Sequence, residues 1–269
     1  MIKLIAIDLD GTLLTDDKQI SARNVASISQ AIDQGVHVVI TTGRPIEAIQ
    51  AFNQILGTDN DAHYSVTYNG GLVLNNGSKD VIADRHLTKD QVQAIYQACH
   101  ELDLPLVAVG LDQVYAFPDP LAYPSNYHKT MPFLPFNEQD PTSLTSQDLV
   151  FKCVVATDSD HLAQQLPKLD SELLAGLSVM RSHPHQLEFM PLGIDKAYGL
   201  ARLAERLDLT ADQVMAIGDE ENDLAMLQWA GEAVVMANGR DDIKAYATYI
   251  TGSNMADGVA QAIDHFVLN

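Results

Sequence analysis

The sequence begins MIKLIAIDLDGTLLTDD (residues 1–17), and residues 2–7 within it read as a nearly continuous apolar strand. Asp8 and Asp10 follow at once, so two carboxylates stand two residues apart where the strand ends. Unit charges about 4 Å apart repel by roughly 4 kcal/mol at an effective dielectric constant near 20. The pair is therefore either an ordinary turn with solvated carboxylates or a site where a divalent cation compensates the charge.

Downstream of this strand, the apolar pattern alternates between strands and helices, which predicts a parallel sheet. The predicted elements of the first part are a helix at 21–34, a strand at 36–40, a helix from Pro45 to about residue 55 and a strand at 64–68. The same alternation returns with a helix at 195–207, a strand at 214–217, a helix at 221–230 and a strand at 233–236. We expect an α/β fold, with a doubly wound parallel-sheet core formed by residues 1–81 and 189–269 and an α+β domain inserted at 82–188.

The composition limits the partners that the chain can have. Its 269 residues include 16 basic and 36 acidic ones, which gives a formal net charge of −20. This charge disfavours nucleic acid and anionic membrane surfaces, and a small anionic substrate would need a local cation such as a bound metal. No apolar run approaches the roughly 20 residues of a membrane span. Cys99 and Cys153 lack metal-site spacing, so we interpret them as half-buried thiols of a cytoplasmic protein.

Two further stretches stand where a predicted strand ends or a predicted helix begins. Thr41-Thr42-Gly43-Arg44 offers a hydroxyl and backbone N–H groups that can hold phosphate oxygens, although simple capping of the helix at Pro45 is the alternative. Lys196 begins a predicted helix, where the helix dipole disfavours a cation. It is either a solvated surface charge or a lysine that faces a bound phosphate.

The run Gly218-Asp219-Glu220-Glu221-Asn222-Asp223 follows the predicted strand at 214–217. Its acids could simply favour a helix N-terminus. Asp219 and Asp223 are four residues apart, however, so a helix that starts here would place both on one face, and carboxylate oxygens suit Mg²⁺. Because ligand chemistry gathers beyond the carboxyl ends of parallel strands, the four stretches predict one site with a nucleophile, an acid, phosphate contacts and a metal.

In this order, the motifs resemble those of the haloacid dehalogenase superfamily of phosphohydrolases. They are DLDGTLL (8–14), TTGRP (41–45), GIDKAYGL (193–200) and GDEENDLAML (218–227). The insertion between the second and third motifs resembles the cap domain of the Cof-type branch, the C2B type. YNGGLV (68–73) and SNMADGV (253–259) are similar to stretches of bacterial sugar phosphatases. The resemblance implies a Rossmann-like core with an inserted cap.

The resemblance also implies a role for each matching residue. Asp8 would attack phosphorus, and Asp10 would protonate the leaving oxygen and then activate water, for which we expect a raised pKa at Asp10. The expected ligands of Mg²⁺ are the Asp8 carboxylate, the Asp10 carbonyl, Asp219 and Asp223. The expected phosphate contacts are the Leu9 and Gly43 amides, Thr42, Arg44, Lys196 and Asn222.

The expected function is that of a Mg²⁺-dependent phosphatase. It would hydrolyse small phosphorylated metabolites, above all sugar phosphates, through an aspartyl-phosphate. The alternatives are a phosphomutase that uses the same nucleophile, a phosphatase of pyridoxal phosphate or FMN, a receiver-like signalling module and a catalytically inactive binding protein. We expect cap residues around 123–129 and 183–188 to select the substrate. The expected partners are the small substrate alone, with no nucleic acid or membrane, in a monomer or homodimer.

Overall fold

The computed structural model describes residues 1–268, which divide into two compact units. The core unit contains Met1–Asp84 and the described chain from Asp195 onward, and the cap unit contains Arg85–Ile194. Both units combine a sheet with helices. Within residues 1–268, no helix has the length and apolar character needed to cross a membrane.

Strands and helices are numbered in chain order along residues 1–268. The strands are β1 (Leu4–Ile7), β2 (His37–Thr41), β3 (Tyr64–Thr67), β4 (Leu72–Asn75), β5 (Val81–Asp84), β6 (Val107–Gly110), β7 (Val114–Ala116), β8 (Phe136–Glu138), β9 (Val150–Ala156), β10 (Leu177–His183), β11 (Gln186–Pro191), β12 (Val214–Gly218), β13 (Glu232–Val235) and β14 (Tyr249–Ile250). The helices are α1 (Ala22–Asp33), α2 (Gln50–Leu56), α3 (Lys89–His100), α4 (Ser159–Gln165), α5 (Ser171–Ala175), α6 (Lys196–Arg206), α7 (Leu224–Trp229), α8 (Asp241–Lys244) and α9 (Gly258–Ile263).

The core unit is built on a sheet with the strand order β14-β13-β12-β1-β2-β3-β4-β5. Strand β1 lies inside it, with parallel pairing to β12 on one side and to β2 on the other. Ile5 and Ile7 pack into the apolar cluster on one face, whereas Leu4 and Ala6 pack into the cluster on the other. Burial on both faces explains why the first strand is a continuous apolar run.

The edge of the core sheet differs from the expected parallel pattern. Strands β4 and β5 form an antiparallel extension, in which β3 pairs with β4 and β4 pairs with β5. Because β5 belongs to this sheet, the chain stays in the core unit as far as Asp84, beyond the expected boundary at residue 81. Strand β11 pairs with β9 and β10, so the cap unit continues to Ile194, beyond the expected boundary at residue 188.

The helix expected from Pro45 to about residue 55 is interrupted. A 3-10 turn at Ile46–Ala48 precedes α2 (Gln50–Leu56), and Pro45 caps the turn without a side-chain hydrogen bond. Gly57 ends α2 in the left-handed conformation, with φ of 70°. Glycine adopts this conformation at no steric cost, which makes it a common residue after a helix.

The cap unit has a sheet with the order β10-β11-β9-β6-β7-β8. Residues of α3 and α4 pack with one face of this sheet into an apolar cluster that contains Cys99 and Cys153. Both thiols are fully buried, so the expectation that they are half-buried is wrong. Burial raises the pKa of the Cys99 thiol to about 12, which keeps it protonated and unreactive at neutral pH.

A buried ion pair links two strands of the cap unit. Lys152 on β9 donates from Nζ to Oε2 of Glu188 on β11 across 3.0 Å, and each residue is only 3% exposed. Oε1 of Glu188 accepts hydrogen bonds from Gln186 at 2.8 Å and Ser182 at 3.0 Å. Burial acts to raise the pKa of Glu188, but Lys152 and these donors outweigh it, so the pKa lies below its usual value.

We expect the Glu188→Ala substitution to destabilise the cap unit by about 3–5 kcal/mol, because the Lys152 ammonium stays buried without that carboxylate. A lowered pKa means that the Glu188 contribution is present above the ordinary pKa near 4.3 and is lost as pH falls through the lowered value. The difference in unfolding free energy between wild type and variant should therefore stay nearly constant from pH 7 down to about pH 5 and narrow only as the pH falls below about 4.3. Hydrogen exchange of the β9 and β11 amides is the measurement, because Trp229, the single tryptophan, lies in the core unit.

The matched control is the double variant Lys152→Met/Glu188→Leu. It removes both charges and keeps apolar volume, so its exchange protection should remain close to that of wild type. If the β9 and β11 amides of Glu188→Ala were as well protected from hydrogen exchange as those of wild type, the prediction would be contradicted.

Candidate active site

The sheet topology brings the first and last motifs together. Strands β1 and β12 are parallel neighbours in which Ile7 pairs with Ile217. Asp8 and Asp219 therefore follow adjacent strands at the same edge of the sheet, and the Asp8 N–H donates to the Ile217 carbonyl at 3.0 Å. Both side chains are buried, with 5% exposure for Asp8 and 6% for Asp219. This is the edge where open α/β sheets collect ligand chemistry.

Lys196 is a buried residue that contacts two carboxylates. It begins α6, after Asp195 caps the helix by accepting from the Tyr198 N–H at 2.8 Å. Its Nζ donates to Oδ1 of Asp8 at 2.5 Å and to Oδ1 of Asp223 at 2.6 Å, and its exposure is 0%. The alternative interpretation of Lys196 as a solvated surface charge is therefore excluded.

Asp223 is fixed by a backbone turn and not by a helix. The segment Glu221–Asp223 is a 3-10 turn, and Asp219 precedes it, so the expectation of two acids on one helix face is wrong. Oδ2 of Asp223 accepts from the N–H groups of Asp219 at 2.9 Å and Glu220 at 3.0 Å. A Cβ atom at Gly218 would lie 2.5 Å from Cγ of Asp223, so this close approach requires glycine.

The acidic side chains form a compact cluster that could hold a metal ion. Asp8, Asp219 and Asp223 each offer a carboxylate oxygen, and these oxygens lie within 4.8 Å of one another. Thr12 donates from Oγ1 to Asp219 at 2.6 Å, and a Cβ atom at Gly11 would lie 2.2 Å from Oδ2 of Asp219. The turn after β1 is thus shaped around the Asp219 carboxylate.

Electrostatics opposes full ionisation of this cluster. Burial raises the pKa of Asp8 well above its usual value, Lys196 lowers it, and the carboxylates of Asp223 and Asp219 raise it further. Burial also raises the pKa of Asp219, to about 7, despite the hydrogen bond from Thr12. Additional positive charge is needed for both acids to be fully ionised at neutral pH.

Asp10 has a different environment from Asp8. Arg44 binds both of its oxygens, with Nε to Oδ2 at 2.8 Å and Nη2 to Oδ1 at 2.7 Å. Lys18 adds a bond from Nζ to Oδ1 at 2.8 Å. Partial burial acts to raise the pKa of Asp10, but Arg44 and Lys18 lower it to about 2. The expectation of a raised pKa is therefore wrong, and Arg44, expected to contact phosphate, is bound to Asp10.

Lys18 is a site residue that the sequence analysis missed. It has a positive φ of 58° in a turn where its N–H donates to the Thr15 carbonyl at 2.8 Å. The turn folds the chain back so that Leu14 forms bridges with both Asp10 and Ile20. No regular spacing connects residues 10 and 18, so the sequence gives no local signal for this contact.

The remaining predicted phosphate contacts lie along the turns that follow β1, β2 and β12. Leu9 is fully buried between the two aspartates. Thr42 is 2% exposed, and its Oγ1 accepts from the Arg44 N–H at 3.2 Å. Asn222 donates from Nδ2 to Oδ1 of Asn69 at 3.4 Å. A Cβ atom at Gly43 would lie 2.9 Å from that same Asn69 oxygen, so Gly43 and Asn222 adjoin one side chain.

Two asparagines that were assigned no role support the turn after β1. Asn238 donates from Nδ2 to the Gly11 carbonyl at 2.8 Å and accepts from the Asn254 N–H at 2.9 Å. Asn254 donates from Nδ2 to the Leu14 carbonyl at 3.0 Å. Asn254, in the stretch SNMADGV (253–259), therefore bonds to the backbone of the segment that carries Asp8 and Asp10.

The chain is similar to known proteins over nearly its whole length. A Streptococcus pyogenes protein named as a phosphatase is 34% identical to this chain over 268 residues, which cover 100% of this chain and 99% of the relative. A Bacillus subtilis 5-amino-6-(5-phospho-D-ribitylamino)uracil phosphatase is 32% identical over 267 residues, with coverage of 99% and 96%. The crystal structure of a haloacid dehalogenase-like hydrolase from Bacteroides thetaiotaomicron has a TM-score of 0.86 at 32% identity, with coverage of 98% and 99%.

These similarities extend over the whole length of the chain, and they confirm the expected α/β class. The family model of the haloacid dehalogenase-like hydrolases matches residues 5–263. The chain therefore belongs to the haloacid dehalogenase-like hydrolases, and it is an enzyme of their phosphatase class.

Proposed function

We propose that the chain is a Mg²⁺-dependent phosphatase that hydrolyses small phosphate monoesters through an aspartyl-phosphate on Asp8. The observation that carries this proposal is the cluster in which Lys196 joins Asp8 and Asp223 while Asp219 lies beside them. A nucleophilic carboxylate, a buried cation and several oxygen donors are the parts that phosphoryl transfer needs.

The donor set fits Mg²⁺. Asp8, Asp219 and Asp223 supply carboxylate oxygens, which are hard ligands. These three carboxylates outnumber the single ammonium of Lys196, which contacts Asp8 and Asp223. We assign the ion to these carboxylates and to the Asp10 carbonyl. When bound, Mg²⁺ would supply positive charge for the carboxylates and for the oxygens of the transferred phosphoryl group.

The chain's own residues account for the two chemical steps. An Asp8 oxygen forms a bond to phosphorus while the bond from phosphorus to the ester oxygen breaks. Water then attacks the phosphorus of the aspartyl-phosphate, which releases orthophosphate and restores the Asp8 carboxylate. We assign Lys196, Thr42 and Asn222 to the phosphoryl oxygens, with the Leu9 and Gly43 amides. Lys196 also holds the Asp8 oxygen in place.

Asp10 is proposed as the group that moves protons in both steps. Its carboxylate, held by Arg44 and Lys18, has the charge state needed to accept a proton from the attacking water. To protonate the leaving oxygen in the first step, Asp10 must first take up a proton from solvent and give up contacts to these cations. We propose that a bound phosphate dianion attracts Arg44 away from Asp10, so that Arg44 also serves as the phosphate contact expected from the sequence.

The proposed substrate class is phosphorylated sugars and related polyol phosphates. One relative is named for a phosphoribitylamino compound, in which the phosphate is attached to a polyol chain. Pyridoxal phosphate and FMN are the cofactor alternatives. We assign substrate selection to the inserted residues that the sequence analysis places at 82–188. Glu188 is less available for this role than expected, because it is buried in the pair with Lys152.

The roles of the nucleophile and the metal can be tested together. We expect Mg²⁺-dependent release of orthophosphate from a nitrophenyl phosphate ester, which both Asp8→Asn and EDTA abolish and which added Mg²⁺ restores after EDTA. The matched control is Asp17→Asn, an exposed acid of the same segment, which should keep wild-type turnover. Turnover by Asp8→Asn at the wild-type rate would exclude Asp8 as the nucleophile.

A substrate panel then tests the substrate class. Hexose, pentose and polyol phosphates should be hydrolysed with a higher kcat/KM than pyridoxal phosphate or FMN. A higher kcat/KM for either cofactor would favour the cofactor alternative. Formation of an isomeric hexose phosphate without release of orthophosphate would identify a phosphomutase instead.

Another prediction concerns the cations that hold Asp10. Asp10→Asn should lower kcat by about 10²–10⁴-fold, the range for loss of a general acid or base. Arg44→Gln should lower kcat by up to about 10²-fold, because the Asp10 carboxylate loses its bidentate partner and its position. Lys18→Gln should have a smaller effect, since it removes one hydrogen bond. Steady-state kinetics of the purified variants provide the measurement.

Arg23→Gln is the control for this series, because Arg23 is an exposed arginine of the core unit that pairs with Asp264. It should leave kcat unchanged. A wild-type kcat in Arg44→Gln would show that the contact between Arg44 and Asp10 is dispensable.

A further inference from the structure

We propose that Asn69 is a positioning residue of the phosphate site, whose carboxamide holds the Asn222 side chain in place against the backbone at Gly43. Asn69 lies outside the four motifs that supply the proposed catalytic groups. The inference rests on the proposed function, because it assigns Asn222 and Gly43 to the phosphoryl oxygens.

The backbone around Asn69 has a rare conformation. Tyr68, Asn69 and Gly70 are consecutive left-handed residues, with φ values of 51°, 53° and 96°. Asparagine and glycine adopt this region readily, whereas a bulky residue such as tyrosine rarely does. Such conformations persist when the surrounding structure determines them, and they concentrate at functional sites.

Backbone contacts on two sides determine this turn. The Asn69 N–H donates to the Thr42 carbonyl at 2.9 Å, and the Tyr68 N–H donates to the Arg44 carbonyl at 3.2 Å. On the other side, a Cβ atom at Gly70 would lie 2.0 Å from the Asp195 carbonyl oxygen. The turn is therefore packed between the segment that contains Thr42 and the start of the helix that carries Lys196.

The Asn69 side chain extends these contacts to the fourth motif. It is 2% exposed, and its Oδ1 accepts the hydrogen bond from Asn222 Nδ2 at 3.4 Å. The carboxamide also lies against Gly43, where an added Cβ atom would be 2.9 Å from Oδ1 and 3.0 Å from Nδ2. One buried amide thus links the turns that follow β2 and β12, and it fixes the distance between two proposed phosphate contacts.

The backbone conformation alone does not require asparagine at this position. Glycine adopts positive φ at least as easily, so Asn69→Gly keeps the turn and removes only the carboxamide. This substitution separates a role in backbone geometry from a role in holding Asn222.

The test combines phosphate binding and kinetics of Asn69→Gly in the full chain with Mg²⁺ present. The Kd of orthophosphate, measured by calorimetry, and the KM of nitrophenyl phosphate should both rise about two- to tenfold, the range for loss of one hydrogen bond, with little change in kcat. In Asn69→Gly/Asn222→Ala, the effects should not multiply, because Asn69 acts through Asn222.

Asp208→Gly is the matched control. Asp208 has a φ of 55°, is exposed, and follows the end of α6 opposite to Lys196. The same substitution in the same backbone conformation should leave the Kd and KM unchanged. Thermal unfolding of both variants should remain close to that of wild type.

Three results would overturn the inference: a wild-type Kd in Asn69→Gly, a double variant whose Kd is the product of the two single effects, or a loss of kcat that follows a lowered unfolding temperature. Failure of the proposed function is a separate outcome. A wild-type protein that binds orthophosphate but hydrolyses no ester would contradict the phosphatase proposal. The Kd of orthophosphate in Asn69→Gly, compared with that of wild type, would still decide the role of Asn69.

Discussion

The ammonium of Lys196, fully buried and bonded to Asp8 and Asp223, is the constraint that organises the active site. A buried charge is tolerated only when opposite charges and hydrogen bonds satisfy it, and removal of one partner leaves a costly unpaired group. Lys196 therefore requires that β1, the start of α6 and the turn after β12 meet at one point. The parallel pairing of β1 with β12 brings two of these segments to the same edge, and α6 supplies the lysine.

Asp8 and Asp10, the two carboxylates near the start of the sequence, are compensated by separate cationic partners. Asp8 is buried against Lys196, whereas Asp10 is bound by Arg44 and Lys18 at the surface. Burial and the neighbouring carboxylates raise the pKa of Asp8 despite Lys196, whereas Arg44 and Lys18 lower the pKa of Asp10 to about 2. Neighbouring acids with such different environments can perform different chemical tasks, which is the division that a nucleophile and a proton carrier need.

The sequence predicted those parts of the fold and the site that local rules control. Continuous apolar runs predicted β1, β2 and β12, because both faces of this sheet are covered. Asp8 and Asp219 were predicted to lie together because ligand-binding residues gather beyond the carboxyl ends of parallel strands. Contacts between distant residues were not predictable in this way. Lys18 reaches Asp10 through an irregular turn, and Lys152 meets Glu188 only because β9 and β11 pair. The antiparallel strands β4 and β5 were missed although each contains three consecutive apolar residues, because so short an apolar run does not by itself identify a strand.

Close approaches at the site show that it is arranged for function more than for stability. Added Cβ atoms at Gly11, Gly43 and Gly218 would each lie within 3.0 Å of a side-chain oxygen or carbon of Asp219, Asn69 or Asp223. Glycine at such positions costs conformational entropy on folding, and the clustered carboxylates add repulsion. Proteins retain such local costs where binding a ligand recovers them, because a ligand that binds only the folded state stabilises that state. The carboxylates of Asp8, Asp219 and Asp223, which repel one another in the protein alone, are thus the groups that a divalent cation would bind.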